Sequence, residues 1–141
     1  QFSSINDHHK SRYCPISSMG FYVGYHYVIE KDGSIVQARL ETEIGAHDAG
    51  ENYGSIEICF AGNFSIAKPT EGQAEAAAIL TDELLRRWKI PIERIEPHRW
   101  GDQTECPGTM LNDYWFTLNY LIRKVGWLRL LLLRLQGRIP R

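Results

Sequence analysis

The amino-acid sequence predicts a single α/β domain in which a mixed β-sheet of about five strands is flanked by helices. Three observations predict this class. Residues 21–29 show the two-residue alternation that is typical of a strand. Asp32-Gly33 follows directly and is a strong hairpin signal. Further on, Thr70 with Gln73 three residues later forms a capping box, which marks the start of a helix.

The first half of the chain predicts one helix and three strands. The helix is capped by Ser3 or Ser4 and runs to about Arg12. The strands are at 21–29, 34–39 and 55–61, and a long loop at 41–54 precedes the last of them. The strand at 55–61 is predicted to be central, because its large apolar residues alternate with the small Cys59 and Ala61.

The second half is mainly helical. The apolar residues that follow Thr70 have helical spacing as far as Trp88, and Pro91 comes after the helix has ended. Residues 92–95 predict a short strand, and residues 110–125 predict a last amphipathic helix. These elements form an expected domain at 1–125, followed by a basic, leucine-rich tail at 126–141.

Composition limits the classes of function. The formal net charge of −1 gives no support for nucleic acid as the main partner. The three cysteines Cys14, Cys59 and Cys106 are too few and too scattered to indicate a disulfide framework, and their spacing leaves open whether the first two pair. No apolar run approaches the roughly 20 residues that a membrane-spanning helix needs.

A histidine and a cysteine near the start of the last third indicate a metal site. His98 and Cys106 are separated by seven residues in a polar stretch that is predicted to be a loop. Imidazole nitrogen and thiolate sulfur both suit Zn²⁺. The pair alone suits a buried thiol and a hydrogen-bonded imidazole equally well. Two other clusters favour the metal interpretation: VGYHY at 23–27, and 45–56 with His47 and Asn52.

With these clusters in order, the chain resembles the zinc-dependent N-acetylmuramoyl-L-alanine amidases. More narrowly, it is similar to the branch that holds the phage lysozyme-type amidases and the peptidoglycan recognition proteins. The resemblance covers residues 4–111, and its matching stretches run in family order: INDHHKSR, VGYHYVIEKDG, IGAHDAGENYGSIEICFAGNF, PTEGQ and PHRWGDQTECPG.

The resemblance implies roles for individual residues. His98 and Cys106 match two of the family's three zinc ligands, and Tyr25 matches a tyrosine whose hydroxyl acts on the bound water or the oxyanion. Thr104 matches a position that is a catalytic lysine in some members and often threonine in the recognition proteins. His47 matches a groove residue near the scissile bond.

Other candidates keep two interpretations. Asn52 either contacts substrate or caps its loop, and Trp100 either contacts substrate or covers the loop. His26 points away from Tyr25 on the predicted strand, so we expect a packed or hydrogen-bonded histidine. Cys59 stands where some branches have a catalytic glutamate, so no carboxylate base is assigned.

The resemblance also implies a first zinc ligand on a strand before the first helix. His8-His9 imitates that ligand but is assigned to the helix itself, so we expect the sequence to lack that ligand and that strand. The tail at 126–141 is then expected to take the place of the absent strand at the sheet edge. Otherwise two copies of the chain are expected to pair at that edge and form a homodimer. Its arginines and leucines also suit weak contact with an anionic membrane surface.

The function implied by the resemblance is zinc-dependent hydrolysis of the amide between N-acetylmuramic acid and L-alanine in peptidoglycan. Such an enzyme acts on the cell wall, whether it is secreted, periplasmic or delivered by a phage. The main alternative is a recognition module that binds muropeptides without cutting them. A third class is a protein in which zinc or the fold has only a structural role.

Overall fold

A computed structural model describes residues 1–12, 14–48, 50–98 and 104–136, without the side chains of 112–118, 130, 133 and 134. Its elements in chain order are α1 (Phe2–Ser11), β1 (Tyr27–Ile29), β2 (Ile35–Gln37), β3 (Ile58–Phe60), α2 (Glu71–Trp88), a 3₁₀ helix (Ile92–Arg94) and α3 (Thr109–Leu135). The predicted α/β class, with a mixed sheet flanked by helices, is confirmed.

The sheet has the strand order β2-β1-β3, with β1 in the middle. β1 pairs antiparallel with β2, so that Val28 lies opposite Val36, and it pairs parallel with β3, where Val28 lies opposite Cys59. The predicted hairpin joins the antiparallel pair. Its turn is closed by Asp32, whose Oδ1 accepts a hydrogen bond from the backbone N–H of Ser34 at 2.9 Å.

Layers of helix cover both faces of the sheet. Tyr27 and Ile29 of β1 pack with α2 residues and with Ile122 of α3 on one face. On the other face, Val28 packs in a cluster that Phe2 and Ile5 of α1 border. Because successive side chains of a strand point to opposite faces, this arrangement buries all three residues of β1.

The predicted capping box of α2 is confirmed. Thr70 Oγ1 accepts a hydrogen bond from the backbone N–H of Gln73 at 3.1 Å, and Gln73 Oε1 accepts one from the N–H of Thr70 at 3.2 Å. The buried Gln73 amide also donates to the carbonyl oxygens of Ile29 and Ala61. One side chain therefore starts α2 and joins it to the ends of β1 and β3.

The predicted cap of α1 and the predicted strand at 92–95 are wrong. α1 begins at Phe2 with Gln1 as its N-cap and no side-chain capping bond, so Ser3 and Ser4 lie inside the helix. The segment Ile92–Arg94 is a 3₁₀ helix, with Pro91 at its N-cap. Ile92 and Ile95 pack against the core, which a turn three residues long allows without pairing to the sheet.

The strand count and the end of the last helix also differ from the prediction. The described residues form three strands of three residues each, against the expected five. α3 runs through Gly126 to Leu135, so the described part of the tail, residues 126–136, continues this helix and does not add a strand at the sheet edge. Gly126 suits this place because a Cβ there would lie 3.1 Å from Asp82 Oδ1 of α2. None of the described helices meets the length and apolarity needed to cross a membrane.

Candidate functional site

Tyr25 stands just before β1 and is half-buried. Its ring packs edge-on against the ring of His9 in α1, with 5.1 Å between the centroids. Burial raises the pKa of the Tyr25 hydroxyl well above 10, and the negative charges that Cys59 and Glu57 can carry raise it further. The phenol therefore stays protonated at neutral pH and has a proton that it can donate.

The loop that carries His47 is held against the chain beside Tyr25. The backbone N–H of Ala46 donates to the carbonyl oxygen of Gly24 at 3.0 Å, and a Cβ on Gly24 would collide with the carbonyl oxygen of Ala46. Glycine is therefore required for this close approach. Asn52 Oδ1 accepts hydrogen bonds from the N–H of His47 at 2.8 Å and of the next residue at 3.0 Å. The Asn52 oxygen thus caps the loop, and its contact with substrate stays a prediction.

Glu57, just before β3, brings a carboxylate into the site that the sequence interpretation missed. Its Oε2 lies 2.6 Å from Nδ1 of His47, whose side chain is only 5% exposed. Within the described residues neither Glu57 Oε2 nor His47 Nε2 has an aligned hydrogen-bond partner. One feature of the sequence could have indicated Glu57. It lies two positions before Cys59, so the two side chains would point to the same face of a strand, and Cys59 stands where the resemblance places a glutamate in some branches.

His26 has a structural role. It is fully buried, its Nδ1 accepts from the backbone N–H of Glu57 at 3.2 Å, and its Nε2 lies 3.0 Å from the carbonyl oxygen of Glu43. Burial lowers the pKa of the imidazole. The neutral ring with the proton on Nε2 satisfies both contacts. The prediction of a packed, hydrogen-bonded histidine is confirmed.

His98 lies directly after the 3₁₀ helix region and faces the His47 loop. Its Nε2 is 4.0 Å from Asp48 Oδ2, which is beyond hydrogen-bonding distance. This nitrogen is buried and has no hydrogen-bond partner among the described residues. A buried polar atom without a partner is costly in a folded protein, so this nitrogen is suited to hold a ligand. Asp48 was not among the predicted site residues.

Cys106 follows in a loop that leads into α3. Thr104 Oγ1 accepts a hydrogen bond from the backbone N–H of Cys106 at 3.1 Å, and the N–H of Met110 donates to the carbonyl oxygen of Phe64 at 2.8 Å. Cys106 is exposed at the surface, but the protein around it removes part of the water from its thiol and so raises the thiol pKa, and the charge of Glu57 adds to this. Cys14 and Cys59 are also free thiols, so the disulfide left open between them is not formed.

The carboxylate of Glu57 links several of these candidate site residues. His47 contacts Glu57 directly, while the Glu57 charge acts on the ionisation of both Tyr25 and Cys106. His98 approaches the same loop through Asp48. That Tyr25, His47 and His98 line one groove stays a prediction. Trp100, the remaining predicted substrate contact, lies outside the described residues.

The described residues meet only part of the requirement for zinc. A catalytic zinc site takes three protein ligands and keeps one position for water. Nowhere in the described part of the chain do three His, Cys, Asp or Glu side chains converge to hold a metal ion. His9 is in α1, as expected, and its Nδ1 accepts from the backbone N–H of Gly24 at 2.8 Å. His98 and Cys106 thus have donor atoms that suit zinc, but the described residues do not supply a group of three.

Comparison with known proteins decides the family. A family model described as N-acetylmuramoyl-L-alanine amidase matches residues 2–109. The chain belongs to this family. It is 35% identical over 88 residues to peptidoglycan-recognition protein SC2 of Drosophila melanogaster, covering 62% of this chain and 48% of that protein. It is 30% identical over 98 residues to the endolysin of Escherichia phage T7, covering 66% of this chain and 64% of that protein.

Solved structures of family members have the same fold. The N-acetylmuramoyl-L-alanine amidase LysC from Clostridium intestinale URNW has a TM-score of 0.72 and 28% identity, covering 89% of this chain and 76% of that one. Drosophila peptidoglycan recognition protein SD has a TM-score of 0.68 and 25% identity, covering 78% and 63%. The resemblance predicted from the motifs is confirmed, although the chain spans about half the length of the recognition proteins that it matches.

Proposed function

We propose that this amidase-family chain carries the reaction site of a zinc-dependent N-acetylmuramoyl-L-alanine amidase. Its substrate would be the amide between the lactyl group of N-acetylmuramic acid and L-alanine in peptidoglycan. The observation that carries the proposal is the buried Nε2 atom of His98, which lacks a hydrogen-bond partner among the described residues. The family match and the similarity to phage endolysins support it.

His98 and Cys106 would hold the zinc ion, with a third donor from outside the described residues. When bound, Zn²⁺ lowers the pKa of its water and polarises the amide carbonyl. Binding requires Cys106 to lose its proton, and the raised pKa of the thiol makes metal binding weaker at low pH. Thr104 would hold the Cys106 backbone in place through its Oγ1.

Tyr25 would act on the substrate itself. Because its hydroxyl is protonated at neutral pH, it can donate a hydrogen bond to the carbonyl oxygen as negative charge develops there. The Thr104 hydroxyl, whose oxygen already accepts a bond, has its own proton to donate in the same way. These two groups would supply part of what a lysine supplies at the position of Thr104 in other family members.

His47, Asn52 and Trp100 would contact the muropeptide. Glu57 would position the His47 ring through its close contact with Nδ1, and thereby shape the groove beside the scissile bond. The Asn52 oxygen is engaged by the loop, so substrate contact would fall to its amide nitrogen.

A non-catalytic recognition module is the second candidate. The incomplete donor set among the described residues favours it, as does the similarity to recognition proteins. One structural relative, 34% identical with a TM-score of 0.64, is a complex of tracheal cytotoxin with the recognition proteins LCa and LCx. In this case the same groove would bind a muropeptide without cleaving it.

Hydrolysis of purified peptidoglycan separates the two functions. We expect newly exposed L-alanine amines to be released when Zn²⁺ is added. When a chelator is present from the start, we expect no amine release. Binding to insoluble peptidoglycan is measured in parallel by co-sedimentation. Retention on peptidoglycan with no amine release at any zinc concentration would establish the recognition function and refute the amidase proposal.

A further inference from the structure

The C-terminal half of α3 exposes a row of large apolar side chains. The exposed fractions are 62% for Trp127, 42% for Leu128, 39% for Leu131 and 76% for Leu135. An α-helix turns by about 100° per residue, so positions 127, 131 and 135, with 128, lie on one side of it. We refer to these four residues as the outer face of α3. Most exposed apolar residues occur singly, whereas this set is contiguous.

The opposite side of the same helix is fixed to the protein body. Ile122 is 2% exposed and Val125 packs against the same core cluster. One turn later, Arg129 Nη1 lies 2.6 Å from Asp82 Oδ2 of α2. Because these contacts join the inner side of α3 to the core and to α2, the outer face is directed away from the core.

Positive charge is concentrated in the same segment. From residue 114 to the end, the sequence has six basic residues and no acidic one: Arg123, Lys124, Arg129, Arg134, Arg138 and Arg141. The whole chain nevertheless carries a formal charge of −1, so the two parts of the molecule differ in sign. Arg123 and Lys124 are exposed on α3 itself.

We propose that the outer face of α3 binds a lipid bilayer whose headgroups are anionic, with the helix lying in the plane of the surface. Leucine side chains and an indole ring suit the boundary between headgroups and acyl chains, and arginine and lysine attract anionic headgroups. A second copy pairing through the same face would bring two basic segments together, which like-charge repulsion opposes. The proposal concerns a surface contact and is independent of the amide chemistry.

Vesicle co-sedimentation of the full 141-residue chain tests this. We expect binding to vesicles of phosphatidylcholine mixed with phosphatidylglycerol, weakened by added salt, and at least about tenfold weaker binding to phosphatidylcholine alone. Replacing Leu131 and Leu135 by glutamine should weaken binding by about tenfold or more. Replacing Arg123 and Lys124 by glutamine should weaken it by about tenfold to thirtyfold.

A matched control separates this face from general surface hydrophobicity. Ile16 is 57% exposed and lies outside α3, so Ile16→Gln should leave vesicle binding unchanged. Circular dichroism checks that every variant remains folded. Absence of binding to anionic vesicles, equal binding to both vesicle types, or unchanged binding by the two double variants would each overturn the proposal. A dimer that outer-face variants convert to a monomer, without vesicle binding, would assign the face to a second copy instead.

Discussion

The Nδ1 atom of His47 lies 2.6 Å from Oε2 of Glu57, so a carboxylate lies directly against the ring of a candidate site residue. The two residues come from different parts of the fold, a loop beside Tyr25 and the segment that enters β3. Glu57 also influences the ionisation of Tyr25 and Cys106, so a single charge acts on three candidate site residues.

Removing that charge tests its positioning role. In Glu57→Gln the side chain keeps its size but loses the carboxylate that lies against His47 Nδ1, so we expect the free energy of unfolding to fall by about 1–3 kcal/mol. We also expect kcat to fall without loss of zinc affinity, because removing the Glu57 charge lowers the pKa of the Cys106 thiol and so favours the thiolate that binds the metal. Urea unfolding, steady-state kinetics and zinc titration provide the measurements. Glu51→Gln, an exposed position nearby, is the control, and equal effects of both changes would remove Glu57 from the site.

Cys106→Ser tests the thiolate ligand. The hydrogen bond that Thr104 accepts comes from the backbone of residue 106, so the loop should survive the change. We expect the affinity for added Zn²⁺ and the rate of hydrolysis to fall sharply, with little change in melting temperature. Cys14→Ser alters another free thiol and should change neither zinc affinity nor rate. A Cys106→Ser protein that binds zinc as the unaltered chain does would contradict the assignment.

Tyr25→Phe tests the hydrogen bond to the transition state. The ring contact with His9 does not need the hydroxyl, so packing should be retained. Loss of one donor of this kind typically lowers turnover by about 10²–10³-fold. We expect that loss in kcat, with unchanged zinc content measured by atomic absorption. Tyr120→Phe removes a hydroxyl from an exposed tyrosine of α3 and should leave the rate unaltered. Full activity of Tyr25→Phe would return Tyr25 to a packing role.

The buried histidines predict a pH dependence of stability. Burial lowers the pKa values of His26 and His9 in the folded protein, below the usual value of 6.5. As pH falls below 6.5, the unfolded chain therefore binds more protons than the folded one, and stability falls. At neutral pH and above, this contribution is fully present.

Urea unfolding between pH 7.5 and 5 measures this effect. The slope of the unfolding free energy against pH should be smaller in His26→Gln than in the unaltered chain, whatever the change in absolute stability. His8→Gln changes an exposed histidine and is the control. Identical slopes in the unaltered chain and in His26→Gln would show that His26 does not titrate differently on folding.

Features that depend on a few neighbouring residues could be read from the sequence. The Asp32-Gly33 turn and the capping box of Thr70 and Gln73 are both made by side chains. These side chains form hydrogen bonds with the backbone two or three residues away. Alternation predicted a strand at 21–29, and its last three residues, Tyr27–Ile29, form β1. The structural role of His26 was predicted correctly. Neighbouring side chains of an extended chain point to opposite faces, so His26 was expected to point away from Tyr25. The family itself followed from motifs in order, each of which is local.

Only the tertiary structure decided the features that depend on distant packing. Residues 92–95 have a strand composition, yet the core accepts Ile92 and Ile95 from a 3₁₀ turn. Gly126 would weaken an isolated helix, yet α3 continues through it as far as Leu135, and beyond the glycine Arg129 pairs with Asp82 of α2. The contact of Glu57 with His47 joins positions ten residues apart, and that of Asp48 with His98 joins positions fifty apart. Such contacts are set by how whole elements pack, and local periodicity carries no information about them.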